Sequence, residues 1–256
     1  MSKEQAKQAR RRLYLLYHEL QPGGSRYSYV TGNAEFEAQL DLFAQLRAER
    51  DGLYPEVTFD DGHLSDYEHA LPLLQARNLQ ARFFITVGWT GQKPGYMGWN
   101  ELRSLHEAGQ QIGAHGWTHT LLTHCSDKEL ATELGQARLT LEDKLGTAIT
   151  TMSLPGGRYN RHVLAACEKQ GYTQVYTSIP RSEPASPGPL VGRLNIRGGM
   201  KPEWIASLLQ PDSGTLAGLE RQYKIKEAAK ALLGDRLYER VWALLNRKEP
   251  DIEGEA

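Results

Sequence analysis

YPEVTFDDGH, residues 54–63, runs a short apolar stretch, 57–59, straight into two adjacent acids, Asp60 and Asp61, and then a glycine, Gly62. A run too short for a helix and closed by a turn signal reads as a strand, which leaves the acid pair at its C-terminal end. Side-by-side carboxylates there repel one another and cost stability unless a positive charge, usually a metal ion, compensates them. The rest of the chain has to supply the other ligands.

Working outward, the same alternation recurs. A first strand is expected over 12–20, followed by a loop and then a helix capped by Asn33 with Phe36, Leu40, Phe43 and Leu46 on one face. After the acid pair, Ser65 and Glu68 form a capping-box pattern ahead of Leu71 and Leu74, with Pro72 marking where the longer helix begins. ARFFITV, 81–87, is continuously apolar, the signature of a strand covered on both faces. A helix over 99–108 stops at Gly109 and leads to a strand over 110–115. A second capping box, Ser126 with Glu129, opens a helix through Leu130, Leu134, Ala137 and Leu141 to Gly146. Further strands are expected over 148–154, 173–179 and 190–196, with a helix capped by Asn160 between the first two and another over 204–209. Seven strands alternating with helices predict parallel strands joined by right-handed crossovers, in an α/β barrel or a doubly wound sheet. No GxGxxG or GxxxxGK[ST] follows a strand, so dinucleotide and P-loop readings lose their main support. Residues 219–247 read as helical, interrupted at Gly234, with Leu237, Val241, Leu244 and Leu245 as an apolar stripe that could cover the barrel or mediate a homodimer.

With 256 residues the chain can hold one large core, and a single domain over 1–256 is expected, its barrel at 12–210 and its C-terminal helices and tail at 211–256. Thirty basic against thirty-one acidic residues leave a formal charge of −1, which argues against nucleic acid as a partner. The one basic cluster, 7–12, reads as a solvated lead-in. No stretch approaches the roughly 20 apolar residues that span a bilayer, and LYLLYHEL at 13–20 is too short for a signal-peptide core, so a cytoplasmic location is expected. The two cysteines, Cys125 and Cys167, show no metal-ligand spacing and are too few for a disulfide framework.

A second stretch, GAHGWTH at 113–119, places His115 and His119 four residues apart, also after a buried strand. Such a pair can turn both rings to one side of a helical turn or of a loop leaving a strand. Two histidines and one carboxylate make a common open catalytic metal site, suited to Zn²⁺ and also to Co²⁺, Ni²⁺, Mn²⁺ or Fe²⁺. Its bound water becomes acidic enough to attack, and the second acid can take the proton. The competing structural reading makes Asp60 and Asp61 a turn-forming pair and gives the histidines local hydrogen bonds.

TFDDG at 58–62 and HGWTH at 115–119 resemble the first two motifs of the NodB-homology polysaccharide deacetylases, a carbohydrate esterase family. HALPLL, ARFFITVGW, GYMGWNELRSLHEAGQQIGAH, LEDKLG and SLPGGRYN follow that family's order and spacing over roughly residues 12–200, and LYHEL resembles the lead-in of its exopolysaccharide-modifying members. The resemblance implies a distorted (β/α) barrel of about seven parallel strands with a helical C-terminal extension. It implies Asp60 as general base, and Asp61, His115 and His119 as ligands of a divalent metal, with zinc the leading choice. The family's third motif implies substrate or oxyanion contacts from Pro155, Gly157, Arg158 and Tyr159, with a backbone N–H near Gly157 or Arg158 facing the oxyanion.

The chain also departs from the family pattern. Ser153 stands where an arginine often orients the base, and nearby Arg158 is the candidate substitute. The Asp-Trp of the fourth motif is missing around 176–179. No histidine follows His162, so the final motif's proton donor has no counterpart, and Arg193 or Arg197 cannot release a proton in its place. His18 and His63 are the two candidates for that acid. The leading expectation is a metal-dependent hydrolase removing acetyl groups from an N- or O-acetylated saccharide. The alternatives are a pseudoenzyme that keeps the metal and a sugar-binding groove, and a C–N hydrolase acting on a small cyclic amide.

Overall fold

The computed structural model describes residues 11–48, 53–210 and 213–233. Strands form at β1 (Arg12–Tyr17), β2 (Glu19–Gln21), β3 (Val30–Gly32), β4 (Tyr54–Phe59), β5 (Ala81–Ile85), β6 (Gln111–Ala114), β7 (Thr151–Ser153), β8 (Gln174–Tyr176), β9 (Leu190–Val191) and β10 (Arg193–Asn195). Eight of them join one sheet in the order β10-β1-β4-β5-β6-β7-β8-β9, with every neighbouring pair parallel. Helices surround it, as crossovers between parallel strands require. The result is a nearly closed, distorted (β/α) barrel.

Eight strands rather than seven arise because the stretch expected as one strand over 190–196 breaks at Gly192. Its first half pairs with β8 (Val175↔Leu190) and its second with β1 (Tyr14↔Arg193), so one segment bridges both edges of the sheet. Only glycine fits at the break: a Cβ on Gly192 would lie 2.6 Å from the Ile179 carbonyl oxygen. The first expected strand likewise ends at Tyr17, and residues 19–21 pair instead with β3 in a separate two-stranded sheet.

The two faces of the strands bury different chemistry. On the outer face Phe59 and Phe83 stack at 5.0 Å, and Tyr17 and Phe36 add edge contacts beneath the helix Asn33–Ala48. Each such fully buried aromatic contributes about 1.5–3 kcal/mol. On the inner face Tyr14, Phe84, Tyr176 and Val191 pack together, and among them lies a fully buried arginine, Arg193.

Ser126 with Glu129, and Asn160 with the Val163 N–H, cap their helices as expected. Ser65 does not. Its hydroxyl accepts from the Leu20 N–H (3.0 Å), and the helix beyond opens with a wide π turn, Asp66–Ala70, before Leu71–Ala76. A hydroxyl committed to a strand N–H is not available to an N3 amide.

The chain divides into two compact units, 1–216 and 217–256. The helix Thr215–Leu233 supplies the described part of the second; Gly234 and the stripe Leu237, Val241, Leu244 and Leu245 lie outside the described residues, as do residues 7–10 of the basic cluster. No helix among the described residues is long and apolar enough to cross a membrane.

Candidate active site

The site forms where β4, β5 and β6 end. The Asp60 N–H still donates to the Tyr17 carbonyl (3.0 Å), extending the ladder by one residue. Asp61 (φ 73°) and Gly62 (φ 85°) then turn the chain sharply. This reversal sends two sequence-adjacent carboxylates to different partners. A left-handed aspartate costs on the order of 1 kcal/mol, a cost that concentrates where geometry serves function.

The histidine pair leaves β6 on a loop rather than a helical turn. Gly116 (φ 83°) and His119 (φ 65°) both take left-handed backbone. The buried carboxylate of Glu133 organises this loop, accepting from the Trp117 N–H (2.7 Å), the Thr118 N–H (3.0 Å) and the Thr118 hydroxyl (2.6 Å). Gly116 sits so close to it that a Cβ would approach Glu133 Oε2 to 2.9 Å. Glu133 was not singled out in the sequence, because its place in a capped helix gives an ordinary surface pattern.

Asp61, His115 and His119 converge, each offering one ligand atom within 4.8 Å of the others. Asp61 Oδ1 is 3.3 Å from Nε2 of both histidines. His115 Nδ1 lies 2.9 Å from the Ser153 carbonyl, which can only accept, so Nδ1 carries the proton and a neutral ring points its Nε2 lone pair at Asp61. Acceptors face acceptors across the gap, and Asp61 Oδ1 is buried without a hydrogen-bond partner among the described residues. A cation resolves the conflict: ligand atoms about 2.0–2.2 Å from a tetrahedral ion lie roughly 3.3 Å apart. The set fits a divalent metal. Burial would lower the His115 pKa, but Asp60 and Asp61 outweigh it and raise it; for His119 burial prevails and the pKa falls. Trp89 backs the His119 ring at 5.2 Å, and the Lys93 ammonium lies 3.6 Å above that indole.

Asp60 has different company. Arg193 reaches it from β10 with two parallel bonds, Nη1 to Oδ1 (2.7 Å) and Nη2 to Oδ2 (2.8 Å), and the Ser153 hydroxyl adds a third at 2.8 Å. Burial alone would push the Asp60 pKa up; the Arg193 guanidinium, with His115, outweighs it and holds the carboxyl below its ordinary value. The arginine that orients this acid is thus Arg193, not the expected Arg158, which lies half-buried in the turn after Pro155–Gly157 beside Tyr159. In that turn the Gly157 N–H donates to the Leu154 carbonyl (2.8 Å), so it is already committed and does not face an oxyanion. Gly157 is glycine because a Cβ there would meet Ser178 Oγ at 2.7 Å.

Beside Asp61 opens a small cavity of about 100 Å³ whose walls include His18, His63, Tyr27, Tyr29 and Tyr96. His18 follows β1 with its ring edge on Tyr29 (4.8 Å), and its Nδ1 is buried with no hydrogen-bond partner among the described residues. Burial lowers its pKa, while Asp60 and Asp61 pull the other way. His63 is more engaged, with Nδ1 2.8 Å from Ser65 Oγ and Nε2 3.9 Å from Glu19.

Residues 54–175 match a protein family described as polysaccharide deacetylase. Peptidoglycan-N-acetylglucosamine deacetylase PgdA of Listeria monocytogenes is 34% identical over 108 residues, 42% of this chain and 22% of the relative. The chain spans less than half the length of the curated relatives it first matches. Among solved structures, Streptococcus pyogenes deacetylase PplD in complex with acetate superimposes with a TM-score of 0.70 at 18% identity, covering 78% of this chain and 99% of that one. IcaB from Ammonifex degensii gives 0.66 at 25% identity, covering 78% and 97%.

Proposed function

The chain belongs to the polysaccharide deacetylase family, and from that premise we propose that it is a metal-dependent hydrolase releasing acetate from an N-acetylated saccharide. The observation that carries the reading is the separation of the two adjacent acids, Asp61 facing His115 and His119 while Asp60 is held by Arg193 and Ser153. Asp61, His115 and His119 would hold the ion, which when bound supplies Lewis acidity toward water and the acetyl carbonyl. Asp60, kept ionised by Arg193, accepts the proton of the attacking water. His18 donates the proton that the departing amine needs, its unpartnered Nδ1 lying in the wall of the cavity next to Asp61. Tyr27, Tyr29 and Tyr96 on the same cavity offer faces and hydroxyls to a sugar ring. Glucosamine-type substrates are favoured by the name of the Listeria relative.

The reading is tested by acetate release from N-acetylglucosamine oligomers by metal-loaded protein; no release from oligomers or simple acetyl esters, with the ion bound, would leave the pseudoenzyme reading in its place. Within that assay, His18→Gln should lower turnover about 10²–10⁴-fold and His63→Gln far less. Equal, small effects would remove His18 as the acid. Metal content is the independent check on the ligands. His119→Ala and Asp61→Ala should each abolish tight binding, and full occupancy by elemental analysis in both would refute the site.

A further inference from the structure

The loop that carries His119 is pinned from two sides. Beyond β5 the Val87 N–H donates to the Gly116 carbonyl (3.1 Å) and the Gly88 N–H to the Trp117 carbonyl (2.8 Å). From the other side the Glu133 carboxylate accepts from the Trp117 and Thr118 N–H groups (2.7 and 3.0 Å). The peptide units 116–117 and 117–118 are therefore held at both ends, their carbonyls by the turn Val87–Trp89 and their N–H groups by a single side chain. The same exit from β5 reaches the rest of the centre, since the Thr86 N–H donates to the Asp61 carbonyl (3.3 Å) and the Ile85 carbonyl accepts from the His115 N–H (2.8 Å).

His119 itself is held lightly. Its side chain is 36% exposed, its backbone is left-handed (φ 65°), and its ring lies against Trp89 and His115. A residue other than glycine persists in that conformation only where its surroundings over-determine it. The anchorage lies just upstream, in residues 116–118, and Glu133 supplies its side-chain half. At 4% exposure, the charge-assisted bonds of Glu133 meet little competition from water. It stands on a wide π turn, Ala131–Gln136, a local geometry that recurs at functional positions.

We infer that Glu133 is a positioning residue for the metal centre, acting through the loop to preset the direction of His119 so that the ion meets a formed site. The inference rests on the reading of Asp61, His115 and His119 as the ligand set. A carboxylate suits the task because both its oxygens only accept, so it takes two N–H groups and the Thr118 hydroxyl together. Glutamine can keep one oxygen on the N–H groups and turn its NH₂ toward the hydroxyl, at the loss of the charge. Leucine keeps neither interaction.

The test measures zinc dissociation constants by chelator competition for wild type, Glu133→Leu, Glu133→Gln and Glu129→Ala. Glu133→Leu should bind the ion about 10–100-fold more weakly, and Glu133→Gln only several-fold more weakly. Glu129→Ala removes the capping box at the start of the same helical stretch and should lower the thermal midpoint with zinc affinity unchanged, which separates positioning from stability. Excess zinc should restore turnover in Glu133→Gln, because Asp60, Arg193 and Ser153 are untouched. Unchanged affinity in both Glu133 variants, whatever their thermal midpoints, would overturn the inference, as would a loss of turnover that excess zinc does not restore. Should Glu133→Leu fail to fold, unchanged affinity in Glu133→Gln overturns it alone. Wild type that binds no zinc would refute the ligand set, and this inference with it.

Discussion

Asp60→Asn is expected to lower deacetylation by about 10³-fold or more while the protein still binds its metal. The amide is nearly isosteric and can still accept from Ser153, but it cannot take a proton from water. The same change leaves Arg193, fully buried, without its counter-charge. Removing one partner of a buried ion pair costs about 3–5 kcal/mol, so a lower thermal midpoint should accompany the lost activity. The rate must therefore be measured well below the variant's melting range. Undiminished acetate release there would remove Asp60 from the mechanism.

Arg193→Met should be the most destabilising single change at the site, again by about 3–5 kcal/mol, because it leaves the buried Asp60 carboxylate without its counter-charge, with the Ser153 hydroxyl still donating to it. The sign of its pH dependence follows from Asp60. In the native protein its folded pKa is depressed, so the pair contributes stability above the unfolded value near 3.9, and this is lost as pH falls through the folded pKa. Without Arg193, burial is no longer outweighed and the folded pKa rises. The penalty of Arg193→Met should then be large at neutral pH and shrink toward pH 4, where the carboxyl protonates. The double variant Asp60→Asn/Arg193→Met should be more stable than Arg193→Met alone, since no isolated charge remains buried. Denaturant unfolding at two pH values gives the answer; an equal loss at both would mean that Arg193 acts through packing, not charge. Activity should fall as well, and Arg193→Lys should recover little, because an ammonium cannot form the two parallel bonds.

The acid pair illustrates how much of the site was legible in the chain. Residues 60–62 and 115–119 are local motifs whose own backbone makes the turns: Asp61, Gly62, Gly116 and His119 carry left-handed torsions, and a glycine or aspartate at such a position is visible in a sequence. The strand runs and the Ser126 and Asn160 helix caps were legible for the same reason, since each depends on residues within one or two turns, whereas Asn33 lies inside its helix with Oδ1 unpartnered among the described residues. The Ser65 capping box failed because a residue 45 positions away, Leu20, took the hydroxyl. Ser153 read as a defect in the third motif, yet its hydroxyl and its carbonyl hold Asp60 and His115 together.

What the sequence by itself determined is the alternation of strands and helices and the placement of acids and histidines at strand ends; which of Asp60 and Asp61 faces the histidines came only as an expectation from the family resemblance. Only the tertiary structure decided which cation holds Asp60. Arg193 lies 133 residues from Asp60 and meets it because Gly192 lets the last strand bend across the open edge of the sheet and pair with β1. A guanidinium supplied from another strand leaves no local pattern. Its effect depends on desolvation and on two hydrogen bonds that exist only once the barrel closes.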